Sequence, residues 1–231
     1  MTKALAQGAR VFFTYYQASQ TASTLQAAGA QGYVLDLSST SAMDDFCKTF
    51  KEQTNQLDIL IHNAAAIRDH TLGNLTEEDW DYVMDVNLKA PFYLTKKLMP
   101  YFLRKKKIDQ VNEKNFPKKI FMITSRAAVM AGFGISNYAA SKAGLIGLVK
   151  SMAMELGSRQ VLVNAVNPGF MMSSMTEHLP QEVLDLHQSL SPLDRFSDPE
   201  EVADFLTYLC SDHTTQVTGQ VLHFESRKIT G

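Results

Sequence analysis

The sequence predicts one α/β domain built on a doubly wound parallel sheet, and three observations support this prediction. Short apolar segments typical of strands alternate with longer helix-like segments, which is the pattern of a parallel sheet covered by helices on both faces. The length of 231 residues suits one domain with a substantial core. No repeat, low-complexity tract or linker divides the chain. The predicted strands are residues 11–16, 33–37, 57–61, 120–124, 161–166 and 221–224.

Helix ends are marked by residues that cap helices. Capping boxes begin at Ser41, Thr76 and Ser197, where a hydroxyl can accept a backbone hydrogen bond and an acidic residue follows three positions later. Residues 3–8 are typical of a last helical turn, and Gly8 is predicted to be its left-handed C-terminal cap. The polar residues 108–117 are predicted to form an enlarged surface loop.

Composition excludes several classes of function. A hydrophobic fraction of 45% and a net charge of −2 are ordinary for a soluble globular protein, whereas a nucleic-acid binder would carry a strong basic excess. No apolar stretch of about 18 residues predicts a membrane span, and no signal peptide is recognisable. Cys47 and Cys210 lack the spacing of a metal or redox motif, so we expect buried free thiols in a reducing cytoplasm.

Three residues in one short region suggest catalysis. Ser125 follows an apolar strand, and Tyr138 and Lys142 lie four residues apart on the next predicted helix, hence on one helical face. A phenol with an ordinary pKa near ~10 is a better proton carrier beside a cation, which favours the phenolate. A Tyr-x-x-x-Lys pair alone is weak, because such pairs also occur as a packed ring and a solvated ammonium. The order of strand, serine, Gly-rich loop and helix favours the catalytic interpretation.

Further segments give the chain a clear resemblance to the short-chain dehydrogenase/reductase family, over almost its whole length. The matching segments are His62-Asn63-Ala64-Ala65, Val86-Asn87-Leu88, Asn167-Pro168-Gly169 and Val217-Thr218-Gly219-Gln220. Within the family, the chain most resembles 3-oxoacyl-[acyl-carrier-protein] reductases, through residues 63–69, 138–147 and 168–170. The motifs that indicate the family are highly specific. The residues that indicate 3-oxoacyl-[acyl-carrier-protein] reductases are shared by many reductases.

The resemblance implies a Rossmann-like fold with an unusual beginning. The family's first strand and glycine-rich turn have no counterpart in this sequence, and that turn normally presents backbone N–H groups to the cofactor pyrophosphate. The missing strand would lie in the middle of the sheet, so its absence would leave two strands with unpaired edges. We expect an N-terminally incomplete domain rather than a working domain without these parts.

The resemblance also implies catalytic roles. Tyr138 would donate a proton to a carbonyl oxygen, Ser125 would hydrogen-bond that oxygen, and Lys142 would lower the pKa of the tyrosine and bind ribose hydroxyls. Asn87 would hold a relay water, an interpretation compatible with a structural role at a helix irregularity. The expected activity is NADPH-dependent reduction of a 3-oxoacyl thioester. The alternatives are a reductase or dehydrogenase on another small carbonyl or alcohol, and a non-catalytic module of the same fold.

The cofactor residues are carried over from the family position by position. They are Asp36, Leu37, Asn63, Ala64, Ala65, Tyr138, Lys142, Pro168, Gly169 and Met171. Asp36 would bond the adenine, although it could merely cap the following turn. The end of the second family strand offers Tyr15, Tyr16, Gln17 and Ser19. It therefore lacks the acid that holds the ribose of NAD, so NADP(H) is favoured over NAD(H).

Partners and assembly are further expectations from the resemblance. An acidic acyl carrier protein would dock on a basic surface, for which the candidates are Arg104, Lys105, Lys106, Lys107 and Arg159; solvated helix ends are the alternative. The Met-rich residues 171–179 would form a substrate lid, or else pack in the core.

The helix from Tyr138 is apolar on more than one face, which predicts a homotetramer or homodimer. No metal site is expected, and His178 and His187 are interpreted as surface residues. Glu225-Ser226-Arg227 replaces the family's Asp-Gly-Gly, which we expect to affect subunit packing and not the active site.

Overall fold

The structure is a computed structural model and describes residues 1–17, 19–103, 116–130, 132–173 and 176–225. Its helices are α1 (Thr2–Ala6), α2 (Gln20–Ala27), α3 (Thr40–Gln53), α4 (Glu77–Met84), α5 (Ala90–Phe102), α6 (Ser136–Leu156), α7 (Gln181–Ser189) and α8 (Pro199–Cys210). Its strands are β1 (Phe12–Tyr15), β2 (Gln31–Val34), β3 (Ile59–His62), β4 (Lys118–Ile123), β5 (Val161–Asn167) and β6 (Val221–His223). The predicted alternation of strands and helices is confirmed. All strand pairs in the described residues are parallel.

The strands form two sheets, one of order β1-β2 and one of order β3-β4-β5-β6. The backbone carbonyl of Asp58 accepts a bond from Lys119 of β4. Because successive residues of a strand direct their backbone groups to opposite edges, Ile59 and Ile61 direct theirs away from β4. These two residues are 36% and 40% exposed. The edge of β3 opposite β4 is therefore not paired with another described strand.

The pair β1-β2 has a corresponding edge. Val11 and Tyr15 accept backbone bonds from the β2 side, so Phe12 and Thr14 direct their backbone groups the other way. Phe12 nevertheless packs against the same core cluster as Leu60 of β3. The edge of β1 opposite β2 is therefore likewise not paired with another described strand.

The core is centred on β4 and β5. Every residue of β5 is buried, as are the last five residues of β4. The main cluster joins these strands to α5 and α6 through side chains such as Leu98, Leu145 and Val149. Both strands have neighbours on either side and helices over them, which explains their continuous apolar sequence. The carboxyl ends of these rigid strands support the residues described next.

Local signals fix most helix ends, with two corrections. Thr76 caps α4 as predicted, accepting a bond of 3.1 Å from the Asp79 amide, and Gly8 has the expected left-handed backbone, with φ of 82°. The caps of α3 and α8 are Ser39 and Asp198, not Ser41 and Ser197. A serine or aspartate two positions or one position away competes equally well for the free helix N–H groups.

The two cysteines lie on helices, and the basic residues at 104–107 lie outside the described part of the chain. Cys47 lies on α3 and Cys210 on α8, and both are free and only partly buried. Burial raises the pKa of the Cys210 thiol to about 11, which makes it unreactive at neutral pH. Residues 104–115, which include Arg104, Lys105, Lys106 and Lys107, lie outside the described residues. Among the helices that the structure describes, none is long and apolar enough to cross a membrane.

Candidate active site

Ser125 stands where β4 ends. It caps a short 3-10 turn, Arg126–Ala128, and its hydroxyl accepts a bond of 3.2 Å from the Ala127 amide. The hydroxyl also lies close enough to the phenol of Tyr138 to lower the pKa of that phenol. The strand thus delivers the serine to the position at which the next helix presents its tyrosine.

Lys142 lies one turn further along α6 and is buried against β4. Its ammonium donates to the carbonyl of Ile123 at 2.8 Å and lies 5.7 Å from the centre of the Tyr138 ring. Burial lowers the pKa of Lys142 to about 8. The alternative interpretation, in which this ammonium is solvated, is therefore excluded. The Lys142 ammonium is buried beside the Tyr138 ring and is bonded to the strand that leads to Ser125.

The pKa of Tyr138 corrects the simple expectation from a neighbouring cation. Burial raises the pKa of this phenol, the nearby Ser125 hydroxyl lowers it only in part, and Asp69 raises it further. Removing water disfavours the charged phenolate, and here that effect exceeds the influence of polar neighbours. The phenol is consequently protonated at neutral pH, the state that a proton donor requires.

Asn87 lies in a π-helical segment, Asp85–Lys89, between α4 and α5. Its side chain exchanges two bonds with the backbone of Ala66, at 2.7 and 3.0 Å, and donates to the Ser141 hydroxyl at 3.1 Å. The Ser141 hydroxyl in turn donates to the carbonyl of Tyr138 at 2.7 Å. The structural role at a helix irregularity is thus observed, and π segments of this kind often occur at functional sites.

Asn137 is a positioning residue that sequence reasoning missed. Its fully buried side chain donates to the Arg68 carbonyl at 2.9 Å and accepts from the Tyr138 amide at 2.8 Å. It thereby fixes the first turn of α6 against the segment that contains Asp69. The available signal was an asparagine at a helix start, a common place for bonds between side chain and backbone.

The Pro-Gly turn after β5 requires a glycine at position 169 for two separate reasons. Gly169 has φ of 80°, and a Cβ at this position would lie 2.4 Å from the Ser197 hydroxyl and 2.7 Å from Cβ of Glu225. The Gly169 amide donates to the side chain of buried Asn167 at 3.1 Å. Left-handed backbone and close approach together leave room for glycine alone.

Glu225 corrects an expectation about the end of the chain. Its carboxylate accepts a bond of 2.7 Å from the Asn167 side chain that also holds Gly169. The departure from the family's Asp-Gly-Gly therefore reaches the turn beside the site, contrary to the sequence prediction. Ser226 and Arg227 lie outside the described residues.

Asp36 and Leu37, which are expected near the adenosine, lie in the turn region that follows β2. Strand β2 ends at Val34, two residues before Asp36, and the Asp36 carboxylate accepts bonds from the amide and hydroxyl of Ser38 at 2.9 and 2.6 Å. It therefore caps the turn, as the alternative interpretation held. Leu37 packs in part against a buried cluster that contains Leu35 and Met43.

The segment after β3 departs at two positions from the motif that it resembles, which has an asparagine in place of His62 and a glycine in place of Ala65. His62 bonds to the Thr95 hydroxyl at 2.8 Å, and desolvation lowers its pKa to about 4, so a neutral imidazole takes the structural place of the asparagine. Ala65 is not among the described residues with positive φ, so an alanine is tolerated there. Asn63 and Ala64 are exposed at the carboxyl end of β3.

These residues fit the nicotinamide end of a dinucleotide. Lys142 uses one N–H on Ile123 and could direct others to ribose hydroxyls, and the open backbone at Asn63 and Ala64 borders the same edge of the sheet. Ligands of such sheets bind at the carboxyl ends of the strands. The sequence contains no Gly-x-Gly-x-x-Gly turn for the pyrophosphate. Met171 is partly buried, and its carbonyl accepts a bond of 2.8 Å from Thr176.

The remaining candidates are Arg159, the expected lid and two histidines. Arg159 is exposed in a 3-10 turn between α6 and β5, at the amino end of β5 and therefore at the edge of the sheet opposite Ser125. Within the expected lid, residues 174 and 175 lie outside the described residues. His178 is an exposed residue as predicted. His187 is not: its ring stacks on Phe170 and bonds to Arg126, which corrects the prediction of a surface residue.

Comparison with known proteins decides the family. A family model described as enoyl-(acyl carrier protein) reductase matches residues 2–226. The chain belongs to the short-chain dehydrogenase/reductase family. Members of this family are NAD(P)-dependent oxidoreductases that bind a nicotinamide cofactor.

Curated relatives include 3-oxoacyl-[acyl-carrier-protein] reductases FabG. The protein of Thermotoga maritima is 38% identical over 190 residues, 82% of this chain and 73% of the relative. The protein of Staphylococcus aureus strain Mu50 is 37% identical over 193 residues, 84% of this chain and 73% of the relative. The resemblance to this branch of the short-chain dehydrogenase/reductases is therefore confirmed.

Solved structures support the Rossmann-like fold. The Pseudomonas aeruginosa RhlG/NADP active-site complex matches with a TM-score of 0.85 and 29% identity, covering 97% of this chain and 88% of that one. A mutant of a Serratia marcescens short-chain dehydrogenase/reductase matches with a TM-score of 0.84 and 27% identity, covering 96% of this chain and 88% of that one.

Proposed function

We propose that this short-chain dehydrogenase/reductase reduces a 3-oxoacyl thioester, carried by an acyl carrier protein, to the 3-hydroxyacyl product with NADPH. The observation that supports this best is the set of partly buried Ser125 and Tyr138 with buried Lys142, in a chain 37–38% identical to two FabG reductases. The named activity of those relatives supplies the substrate class. The reaction would belong to fatty-acid biosynthesis.

The site residues divide the work of carbonyl reduction. The protonated phenol of Tyr138 gives its proton to the substrate oxygen, while the Ser125 hydroxyl donates a hydrogen bond to the same oxygen as negative charge develops there. Bound NADPH would supply the hydride for the carbonyl carbon. The Lys142 cation lies behind the ring and stabilises the phenolate left by proton transfer. Asn87 holds the segment at Ala66 beside the helix that carries the tyrosine.

NADP(H) is proposed over NAD(H). The residues that follow β1 are Tyr16 and Gln17, and neither would repel a 2′-phosphate as an acid would. A solved relative is an NADP complex. Asp36 remains a proposed adenine contact alongside its role in the turn, with Asn63, Ala64 and Met171 proposed for the rest of the cofactor.

The direct test removes one oxygen. Tyr138→Phe should lower kcat for a 3-oxoacyl thioester by at least about 100-fold, since only the proton donor is lost. Tyr208→Phe is the matched control, because that ring lies 55% exposed on α8, and it should leave kcat within about twofold of the parent. Circular dichroism checks that both variants keep the fold. Near-parental turnover by Tyr138→Phe would remove the phenol from the mechanism.

The carrier is tested by charge reversal at an exposed cation. Arg159→Glu should reduce kcat/KM for the carrier-protein substrate, most at low salt, because exposed surface charges act on the encounter between two proteins. Turnover of a short free thioester should change little, and Lys51→Glu on α3 is a control of equal charge change. Loss on neither substrate would favour a free small carbonyl as the substrate. Arg104, Lys105, Lys106 and Lys107 stay sequence-based proposals for the same surface.

We also propose that the chain assembles as a homodimer or homotetramer through α5 and α6. Met154 on α6 is 87% exposed and Phe92 on α5 is 46% exposed, and a Cβ at Gly147 would meet no atom within 4 Å. Two copies could cover this apolar surface while the small residues allow close helix approach. Light scattering at micromolar concentration measures the result, and a monomer would contradict the proposal.

A further inference from the structure

The 3-10 turn after Ser125 and the helix α7 are joined by one polar contact. Nη2 of Arg126 lies 2.7 Å from Nδ1 of His187. A guanidinium can only donate hydrogen bonds, so Nδ1 of His187 must accept with its lone pair. The imidazole is therefore neutral in this contact and carries its proton on Nε2.

His187 also connects α7 to the Pro-Gly turn. Its ring stacks on Phe170, with centroids 4.2 Å apart and planes inclined by 17°. Phe170 packs on Phe196, and its carbonyl accepts a bond of 2.9 Å from the Ser197 amide. A single side chain thus joins α7 to the two segments that flank the candidate site.

The attachment of α7 depends strongly on this side chain. None of the residues Gln181–Ser189, all of which the structure describes, is fully buried. A helix without a buried anchor gains little from apolar burial, so specific contacts contribute a large share of its local stability. Loss of the Arg126 contact should therefore loosen the whole helix.

We propose that Arg126 and His187 are positioning residues that form a pH-sensitive latch, holding α7 against the active-site turns and releasing it when His187 takes a proton. Protonation removes the lone pair on Nδ1 and sets a second cation beside the guanidinium. The bond then becomes a repulsion between like charges. This inference concerns the position of α7 and does not depend on which substrate is reduced.

The charges around the latch do not oppose this direction. A cavity of about 320 Å³ beside His187 is lined by the cations Arg126 and Arg195, the carboxylates Glu201 and Glu225, and His223. Arg195 lies 3.7 Å from Glu201, and Glu225 accepts from Asn167. On α7 itself, Glu182 lies in the first turn and Asp185 accepts a bond from Gln181. Burial and the charge of Arg126 both lower the pKa of His187.

The sign of the pH dependence follows from this shift. With α7 released, His187 should titrate near its ordinary pKa of 6.5, whereas the pKa of His187 is lower when α7 is latched. Latching is then fully favoured above about pH 6.5 and weakens as the pH falls below it. The equilibrium for latching should drop by up to about tenfold between pH 7.5 and pH 5.5.

Hydrogen exchange read by mass spectrometry tests the latch in the 231-residue chain without any activity assay. Protection of α7 amides, corrected for intrinsic exchange rates, should fall by up to about tenfold from pH 7.5 to pH 5.5, while β4 and β5 remain protected. His187→Phe keeps a ring for Phe170 but no acceptor, so protection should be low at both pH values. His187→Asn keeps an acceptor that does not titrate, so its residual protection should not depend on pH.

Two further variants make the outcome decisive. His178→Asn, at an exposed histidine near α7, should behave as the parent does. Arg126→Ala should lower protection at pH 7.5 and should raise the pKa of His187 in an NMR titration, because a neighbouring cation is gone. Protection of α7 that is independent of pH in the parent chain would overturn the proposal. So would an unchanged His187 titration in Arg126→Ala. Loss of enzymatic activity alone would bear only on the proposed function.

Discussion

Replacing Gly169 by alanine should destabilise the protein by two separable effects. The first is the backbone, since φ of 80° is costly for a residue with a Cβ, by about 1–2 kcal/mol. The second is overlap, because the new Cβ would lie 2.4 Å from the Ser197 hydroxyl, 2.7 Å from Cβ of Glu225 and 3.1 Å from the Phe224 carbonyl. Overpacking of this kind costs about 1–3 kcal/mol. Together we expect a loss of about 2–5 kcal/mol.

Two other glycines separate these effects. Gly29 has φ of 99° but would place its Cβ more than 4 Å from any neighbour, so Gly29→Ala should show the backbone cost alone. Gly157 has φ of −57° and similarly open space, so Gly157→Ala should be neutral or stabilising by up to about 1 kcal/mol. The expected order of stability is Gly157→Ala, then Gly29→Ala, then Gly169→Ala.

Urea unfolding followed by circular dichroism measures the series. With an m value of about 3 kcal/mol/M, a loss of about 3 kcal/mol moves the midpoint by about 1 M. The m values should remain equal, so that midpoints report stability. A midpoint for Gly169→Ala no lower than that for Gly29→Ala would refute the reasoning, because the contacts with Ser197 and Glu225 would then yield without cost.

Three further outcomes are expected from the same unfolding assay. Burial lowers the pKa of Lys142 from 10.5 to about 8, which costs about 3 kcal/mol of stability at pH 7. Because the bond to Ile123 is also lost, Lys142→Met should stabilise the protein by about 1–2 kcal/mol. This gain in stability should shrink as the pH rises from about 8 toward 10.5, above which the lysine is neutral in both states. A less stable Lys142→Met at pH 7 would contradict this. Lys119→Met should instead destabilise by about 2–4 kcal/mol, because the Lys119 ammonium bonds the Leu209 and Ser211 carbonyls and the Thr214 hydroxyl at the end of α8, and the loss of three bonds outweighs the burial that lowers its pKa. An unchanged midpoint would show that the helix end finds other partners. Ala65→Gly should lose about 0.4–1 kcal/mol, since Ala65 lacks the positive φ that favours glycine, and a gain would mean strain there.

Much of the candidate site could be predicted from the sequence because its signals are local. The order of strand, serine, loop and helix places Ser125, Tyr138 and Lys142 together through regular spacing, and the structure brings these three side chains together. The left-handed turn at Gly8 was predictable for the same reason, since backbone conformation there depends on the glycine itself. Helix caps were less certain, as at Ser39, because several nearby residues can serve.

Only the tertiary structure decided the features that depend on burial and on contacts between distant residues. The Asn167–Glu225 bond spans 58 positions and the Arg126–His187 contact spans 61, and no spacing rule reaches so far. The raised pKa of Tyr138 reflects loss of water around the phenol. The sequence by itself determined which chemical groups are present and which local elements carry them. The packing of those elements determined which groups meet and how much water surrounds them, and the free energy of a charge depends on both.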